Sequence, residues 1–322
     1  MKPTSNPILT GVIAGLAAAV LLGAANYASG LSLVLFIAAF ASIFIAGLGF
    51  GMTACVIAVL VAAVAVGAMN ASANGAVVIA LVLAPAAVMS YLANLARPAG
   101  ELGGPDTAMA WYPLSDTLLA GAIVTAICSV IALSLQVNIE TFYTTVTDMV
   151  AEMMGQVRPD LPVTDAEKVQ MIAILRTLFP FVQSMQLMIL LFAGFYFGMR
   201  ILTASGRSVR PREDIPMSLR MNRLAIGVFA GGIVLMFVGG IVSHVGASFA
   251  GAAAGGFLLA GFAILHNYLR GKSWALPGLI LAYLLTFMIP IIPVLLIIAG
   301  GLANPRRTIA LTAQNKTETS ET

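Results

Sequence analysis

Apolar positions run without interruption by charge through the first third of the chain. From Pro3 to Ala96, 94 consecutive residues include no Asp, Glu, Lys, Arg or His. A membrane-spanning helix needs about 20 mainly apolar residues, whereas about a quarter of the residues of a soluble domain are charged. The stretch therefore predicts four spans. Glycine- and asparagine-containing breaks place them at residues 8–25, 31–46, 52–68 and 76–95, as two tight hairpins.

In the remainder of the chain, apolar segments alternate with polar ones. Four further spans are predicted at residues 114–136, 171–202, 224–245 and 247–269. The last apolar segment, residues 274–303, is too short for two spans, and Pro290 and Pro293 interrupt it. Broken helices are tolerated in membranes where protein covers them, so we predict a broken ninth element that could re-enter and return. The polar tail, residues 304–322, is predicted to be disordered, and its side of the membrane stays open.

One segment between two spans has a helical rather than a uniform apolar pattern. Apolar side chains recur at i, i+3, i+4 and i+7 within residues 138–155, and acids occupy the other faces. This pattern predicts an amphipathic helix that lies in the membrane interface or packs on the bundle. Further on, Thr164 and Glu167 have the spacing of a capping box, which begins the helix of the sixth span.

Together these patterns predict an all-α polytopic membrane protein. It has about eight transmembrane helices, a proline-broken ninth element and an outer amphipathic helix, in a single membrane domain of residues 1–303. The composition agrees, because 60% of residues are hydrophobic and 9% are charged, which leaves no length for a soluble catalytic domain. Cys55 and Cys128 fall in apolar runs and are interpreted as small buried residues rather than as a disulfide or metal site.

The distribution of charge predicts an orientation. Residues 200–223 contain six arginines and two acids, whereas residues 138–170 contain six acids, one arginine and one lysine. Positive loops stay in the cytoplasm, so the loop at 203–223 and the N-terminus are predicted inside, and the segment 138–170 outside. The predicted location is the cytoplasmic (inner) membrane of a bacterium.

Small residues recur every four positions in the first span, at Gly11, Gly15, Ala19 and Gly23. Small residues let helix backbones approach closely in lipid, where apolarity alone gives no drive to associate. Two interpretations follow from this spacing. The face packs inside the bundle, or it docks a partner membrane protein.

The candidate chemistry lies in the second half of the chain. Gln183 and Gln186 share a face of the sixth span just after Pro180, which frees a backbone carbonyl. Polar groups in kinked helices line many transporter sites, so these glutamines, with His244, are a candidate solute site. The alternative is an interhelical amide hydrogen bond. Asp116, in a first helical turn, complements the helix dipole or forms a proton or cation site.

Other chemistry lacks a sequence signature. The chain contains no H-E-x-x-H, no phosphate-binding GxxxxGK[ST] and no G-x-S-x-G motif. We therefore expect no catalytic residue, no metal site and no cofactor. The lipid bilayer is the expected partner, together with a candidate membrane partner protein or a second copy of the chain. No nucleic-acid partner is expected.

Three stretches carry a resemblance to a known family. They are Gly47-Leu48-Gly49-Phe50-Gly51, Trp111-Tyr112-Pro113-Leu114, and Gly261 to His266 followed by Arg270-Gly271. In these the chain resembles the YybS-like bacterial integral membrane proteins, a family of unknown function. It is more loosely similar to the substrate-capture subunits of energy-coupling-factor transporters. That similarity implies docking through the first helix, at Gly11, Gly15 and Ala19.

Two functional hypotheses remain. In the first, the protein is a transport-related subunit that binds a small solute and has no energy source of its own. It is motivated by the kinked polar face of the sixth span. No span carries a buried acid pair, whereas ion-driven pumps use intramembrane ionisable residues, so an energy source of its own is not expected. In the second, it is a non-transporting scaffold or assembly factor that acts through small-residue helix faces.

Overall fold

Helices formed by the apolar runs dominate the structure, a computed structural model that describes residues 6–28, 30–136, 138–157, 163–303 and 309–313. Within these residues, seven helices are long and apolar enough to cross a membrane, and one bent helix pair is a candidate eighth span. The predicted all-α polytopic fold is confirmed. The helices are α1 Pro7–Ala25, α2 Ser32–Phe50, α3 Met52–Met69, α4 Ala73–Ala93, α5 Leu114–Ser134, α6 Ile139–Val157, α7 Asp165–Ala204, α8 Ile215–Ser218, α9 Leu224–Met236, α10 Gly240–Leu269, α11 Ala275–Met288 and α12 Ile291–Leu302.

The small-residue face of α1 packs inside the bundle, against α3. A Cβ atom at Gly11 would lie 2.7 Å from the carbonyl oxygen of Ala54, and one at Gly15 would lie 2.6 Å from that of Ala58. Ala19 is buried, and Gly23 faces the side chain of Met69. This face of α1 therefore packs inside the bundle, which was the first of the two interpretations. A partner protein could dock on it only by displacing α3.

The amphipathic segment forms α6, which packs on the first half of α7. Tyr143 is 1% exposed and meets Phe179 edge to face. Two ion pairs hold the flanks: Arg176 with Glu140 at 2.6 Å, and Lys168 with Asp148 at 2.7 Å. The predicted capping box at the start of α7 is present. The helix then runs through Pro180 without ending.

The long helices α7 and α10 pack side by side through glycine. A Cβ atom at Gly251 would lie 2.0 Å from the carbonyl oxygen of Phe181, and one at Gly255 would lie 2.7 Å from that of Met185. Residues on all sides of α10 are buried between Ser243 and Ala263. Close backbone contact of this kind needs residues without side chains, because lipid supplies no drive for helices to associate.

The structure differs from the predicted spans 224–245 and 247–269 in the position of their break. The chain turns at residues 237–239, where Gly239 and Gly240 have φ of 87° and 59°. Gly246 instead lies inside α10 and packs on Gly232 of α9. Consequently α9 has 13 residues and a length of about 20 Å, short of the roughly 30 Å hydrocarbon core. The turn forms where two adjacent glycines permit positive φ.

The last apolar segment is broken, as the two prolines predicted. Helices α11 and α12 meet at an angle of 115°, with Pro290 between them. Helix α12 runs back along α10, where a Cβ atom at Gly300 would meet the Phe257 carbonyl oxygen at 1.9 Å. Glycines on both helices, Gly300 of α12 and Gly261 of α10, allow this close backbone contact.

Three short strands form a sheet that joins distant parts of the chain. Strand β1 (Ala96–Pro98) pairs with β2 (Ala108–Trp111), and β2 pairs with β3 (Leu311–Ala313), all antiparallel. Part of the tail predicted to be disordered is therefore ordered. The predictions for residues 304–308 and 314–322 lie outside the described residues. We call the end of the bundle that carries residues 94–113 and 205–223 the loop end.

Candidate binding cleft at the loop end

The structure does not join the three side chains that the sequence suggested as a solute site. Gln183 is half-buried, and its side-chain oxygen is buried without a hydrogen-bond partner. Gln186 is exposed on the surface of α7, and His244 is half-buried in the first turns of α10. Among the described residues, no hydrogen bond links the three. Whether any of them binds a solute stays a prediction.

A buried arginine organises the loop end instead. The Nη1 atom of Arg210 donates to the carbonyl oxygens of Ala93 and Tyr112, at 3.0 and 2.9 Å. Its Nε and Nη2 atoms donate to Glu213 Oε1, at 2.9 and 2.5 Å. A planar guanidinium suits such multiple bonding. Arg210 therefore connects the end of α4 and the residues just before α5 to the loop at residues 203–223, which we call the arginine loop.

A second polar contact ties α5 to α9. Asp116, in the first turn of α5, accepts a hydrogen bond of 2.5 Å from the Nδ2 atom of Asn222. The Oδ1 atom of Asn222 in turn accepts from the backbone N–H of Leu224, at the start of α9. Asp116 thus connects two helix starts, and its position near positive helix ends suits a carboxylate.

The segment leading to α11 is also fixed at the loop end. Arg270 donates two hydrogen bonds of 2.7 Å to the two carboxylate oxygens of Asp214. These bonds from Arg270 lower the pKa of the Asp214 carboxyl, and they raise the pKa of Arg270. Both side chains are exposed, so the pair positions the chain more than it stabilises it.

Beside these contacts lies a half-open cleft of about 460 Å³, bounded by the sheet and the start of α5. Its wall is mainly apolar, and its charged residues are Arg97 and Asp116. Arg97 is exposed, and its backbone pairs with Ala110 of β2, whereas its side chain makes no hydrogen bond or ion pair with any described residue. The residues that line it include Leu95, Arg97, Leu102, Trp111, Asp116 and Ile309. Its volume lies within the range of small-molecule sites, although the cleft is half open to solvent.

A second, much smaller cavity adjoins the arginine network. It has a volume of about 40 Å³ and is lined in part by Tyr196, Arg200 and Glu213. The Oε2 atom of Glu213 is buried there without a hydrogen-bond donor among the described residues. A space of this size holds a water molecule, which would supply the missing donor.

The described residues do not assemble a metal site. Within the described ranges, no group of three or more His, Cys, Asp or Glu side chains could hold a metal ion. Cys55 and Cys128 are both buried and free. A guanidinium on an apolar wall is, however, suited to a carboxylate or phosphate, since it offers several N–H donors in one plane.

The sequence missed the cleft, although one signal was available. Arg97 is the first charge after the uncharged stretch and is followed by Trp111-Tyr112 within the same loop. By the positive-inside rule, this arginine alone predicts only the side of the membrane on which the loop lies. The other wall, at Ile309, comes from the tail and could not be placed beside Arg97 by spacing.

The fold and the composition define the class of the protein: an all-α, multi-pass membrane protein in contact with the lipid bilayer. No protein-family model, no curated protein and no solved structure matches the chain.

Proposed function

We propose that the protein is a transport-related subunit that binds a small solute, has no energy source of its own and catalyses no reaction. The observation that supports it is the half-open cleft, on whose apolar wall the Arg97 side chain has no ion-pair partner within the part of the chain that the structure describes. The proposal thus moves the site from the α7 glutamines to the loop end. There a cavity and an exposed arginine side chain occur together.

The expected solute is a small carboxylate with an apolar body. Its carboxylate would pair with the Arg97 guanidinium, and its body would lie against Leu102, Trp111 and Ile309. Asp116, at the same cleft, disfavours a molecule with a second negative charge close by. A site of few polar groups on an apolar wall selects by charge position and by shape.

The proposal includes the location and the family resemblance. Positive residues favour the cytoplasmic side, so the cleft would open to the cytoplasm of a bacterium, at its inner membrane. The YybS-like resemblance agrees with a multi-pass protein of this kind. A transporter-type partner would dock elsewhere than on the small face of α1, because α3 already covers that face.

The test uses octanoate as the probe and the purified full chain in lipid nanodiscs. Binding is followed by Trp111 fluorescence after Trp274→Phe, which removes the other of the two tryptophans. We expect saturable binding that weakens at least tenfold in Arg97→Gln, because a carboxylate loses its charge-assisted partner. Arg212→Gln is the matched control, since Arg212 is exposed at the loop end but does not line the cleft.

Octanol, which has a hydroxyl in place of the carboxylate, should bind more weakly and respond equally in both variants. The proposed site is wrong if Arg97→Gln binds octanoate as tightly as Arg212→Gln does. It is also wrong if octanoate and octanol bind alike.

A scaffold or assembly factor is the second candidate, favoured by the outer face of α6. Met149 and Met153 are 54% and 66% exposed there, beside Phe142 and Val150. Methionine-rich surfaces adapt to varied partners. The Arg97→Gln variant separates the two candidates, because a scaffold would keep its partners when the cleft no longer binds octanoate.

A further inference from the structure

The wall that completes the cleft is a strand from the tail, added to the edge of the loop hairpin. In the register of β2 and β3, Met109 lies opposite Thr312 and Ala110 lies opposite Leu311. The backbone N–H of Trp111 donates to the carbonyl oxygen of Ala310 at 3.0 Å. Strand β3 therefore pairs with β2 in a defined register, although only a few hydrogen bonds between described residues hold it there.

Side chains of the two strands also meet. The indole Nε1 atom of Trp111 donates to Thr312 Oγ1 at 2.7 Å, and Trp111 is 6% exposed. Ile309, just before β3, lines the cleft. The same short segment thus covers Trp111 and forms one wall of the site.

Little of this segment is buried in return. Ile309 is 42% exposed and Leu311 is 49% exposed, and β3 has three residues. Segments with few buried apolar contacts and few hydrogen bonds are those that open locally at low cost. The hairpin of β1 and β2, in contrast, is anchored to the arginine loop, because Arg210 donates to the carbonyl oxygens of Ala93, before β1, and Tyr112, after β2.

We infer that β3 is a detachable strap that controls access to the cleft. When β3 lies on β2, Ile309 closes one side of the site and Trp111 is covered. When β3 detaches from β2, the side of the cleft that Ile309 had closed becomes open. A solute then enters the cleft or is released from it. The nature of that solute rests on the proposed function, whereas the movement of β3 does not.

The strap is tested first by removing the hydrogen bond between Trp111 Nε1 and Thr312 Oγ1. In the Trp274→Phe chain in nanodiscs, quenching of fluorescence by iodide reports the exposure of Trp111. Thr312→Val removes the hydroxyl acceptor at nearly constant shape, so we expect the quenching constant to rise at least threefold. Thr312→Ser keeps the hydroxyl and is expected to stay at the parent value.

The converse test is a disulfide that holds β3 on β2 within one chain. Met109→Cys with Thr312→Cys places two thiols opposite each other, at a spacing that suits a disulfide. Cys55 and Cys128 are buried and do not compete for it. We expect at least threefold weaker iodide quenching in the oxidised form than in the reduced form. Octanoate should also associate at least tenfold more slowly with the oxidised form.

The strap is wrong if the oxidised and reduced forms are quenched alike, or if Thr312→Val behaves as Thr312→Ser. It is also wrong if octanoate enters both redox forms at one rate. Failure of octanoate to bind any form contradicts the proposed function alone, because iodide quenching needs no solute. The two proposals therefore fail separately.

Discussion

At the scale of single residues, Arg210 shows how one side chain holds a loop end together. Its side chain is 2% exposed, and its partners Ala93 and Tyr112 lie 117 and 98 residues away in the chain. Six arginines occur between residues 200 and 223, and the sequence distinguishes none of them from the others. Positive charge in a loop predicts orientation, whereas burial depends on distant segments that spacing does not reveal.

We expect Arg210→Met to destabilise the protein by about 3–5 kcal/mol, because Glu213 is left buried without its cation. Arg212→Met is the control, since Arg212 is exposed two positions away. Thermal unfolding of both variants in one detergent gives the comparison. Adding Glu213→Met to Arg210→Met should recover part of the loss, because the uncompensated charge is removed. Equal melting temperatures for Arg210→Met and Arg212→Met would contradict the role of this network.

At the scale of helices, periodicity predicted faces correctly but not the neighbours that cover them. The four-residue spacing of Gly11, Gly15 and Gly23 identified a close-packing face, and α3 covers it. The break between α9 and α10 falls at Gly239-Gly240 rather than at Gly246. All of these are glycines in apolar surroundings. Whether a glycine turns the chain or receives a neighbouring helix is decided by tertiary packing.

The α1–α3 contact gives a prediction for one helix pair. Gly15→Leu should prevent the bundle from closing, because its Cβ atom alone would lie 2.6 Å from the Ala58 carbonyl oxygen and 2.8 Å from Val61 Cβ. Ala17→Leu, on the exposed face of α1, should be tolerated. The fraction of monodisperse protein after detergent extraction measures both. If Gly15→Leu folds as well as Ala17→Leu, α1 does not pack on α3 by this face.

At the scale of the whole molecule, the sequence predicted a multi-pass membrane protein with a broken last element. Both predictions rest on local features, because a long uncharged stretch forms a span and a proline breaks a helix wherever they occur. It did not predict the cleft. Its walls come from residues 95–102, 110–116 and 309, so they meet only after the bundle and the tail have assembled. The side of the tail stayed open for the same reason, since no local pattern fixes it.

The assembled molecule now gives an answer for the tail that can be measured. The Arg270–Asp214 pair fixes the start of the α11–α12 segment at the loop end, and β3 fixes its far end to β2 in the same region. If the bent pair α11–α12 is a re-entrant segment rather than a broken span, both of its ends lie on one side of the membrane. Single cysteines at Lys272 and Thr312 should therefore react with an impermeant maleimide from the same side of sealed vesicles.

A cysteine at Val157, 80% exposed at the end of α6, is the reference for the opposite side. The buried Cys55 and Cys128 give a low background in the parent chain. Labelling of Thr312→Cys together with Val157→Cys, rather than with Lys272→Cys, would show that the last element crosses the membrane and that β3 does not pair with β2 there.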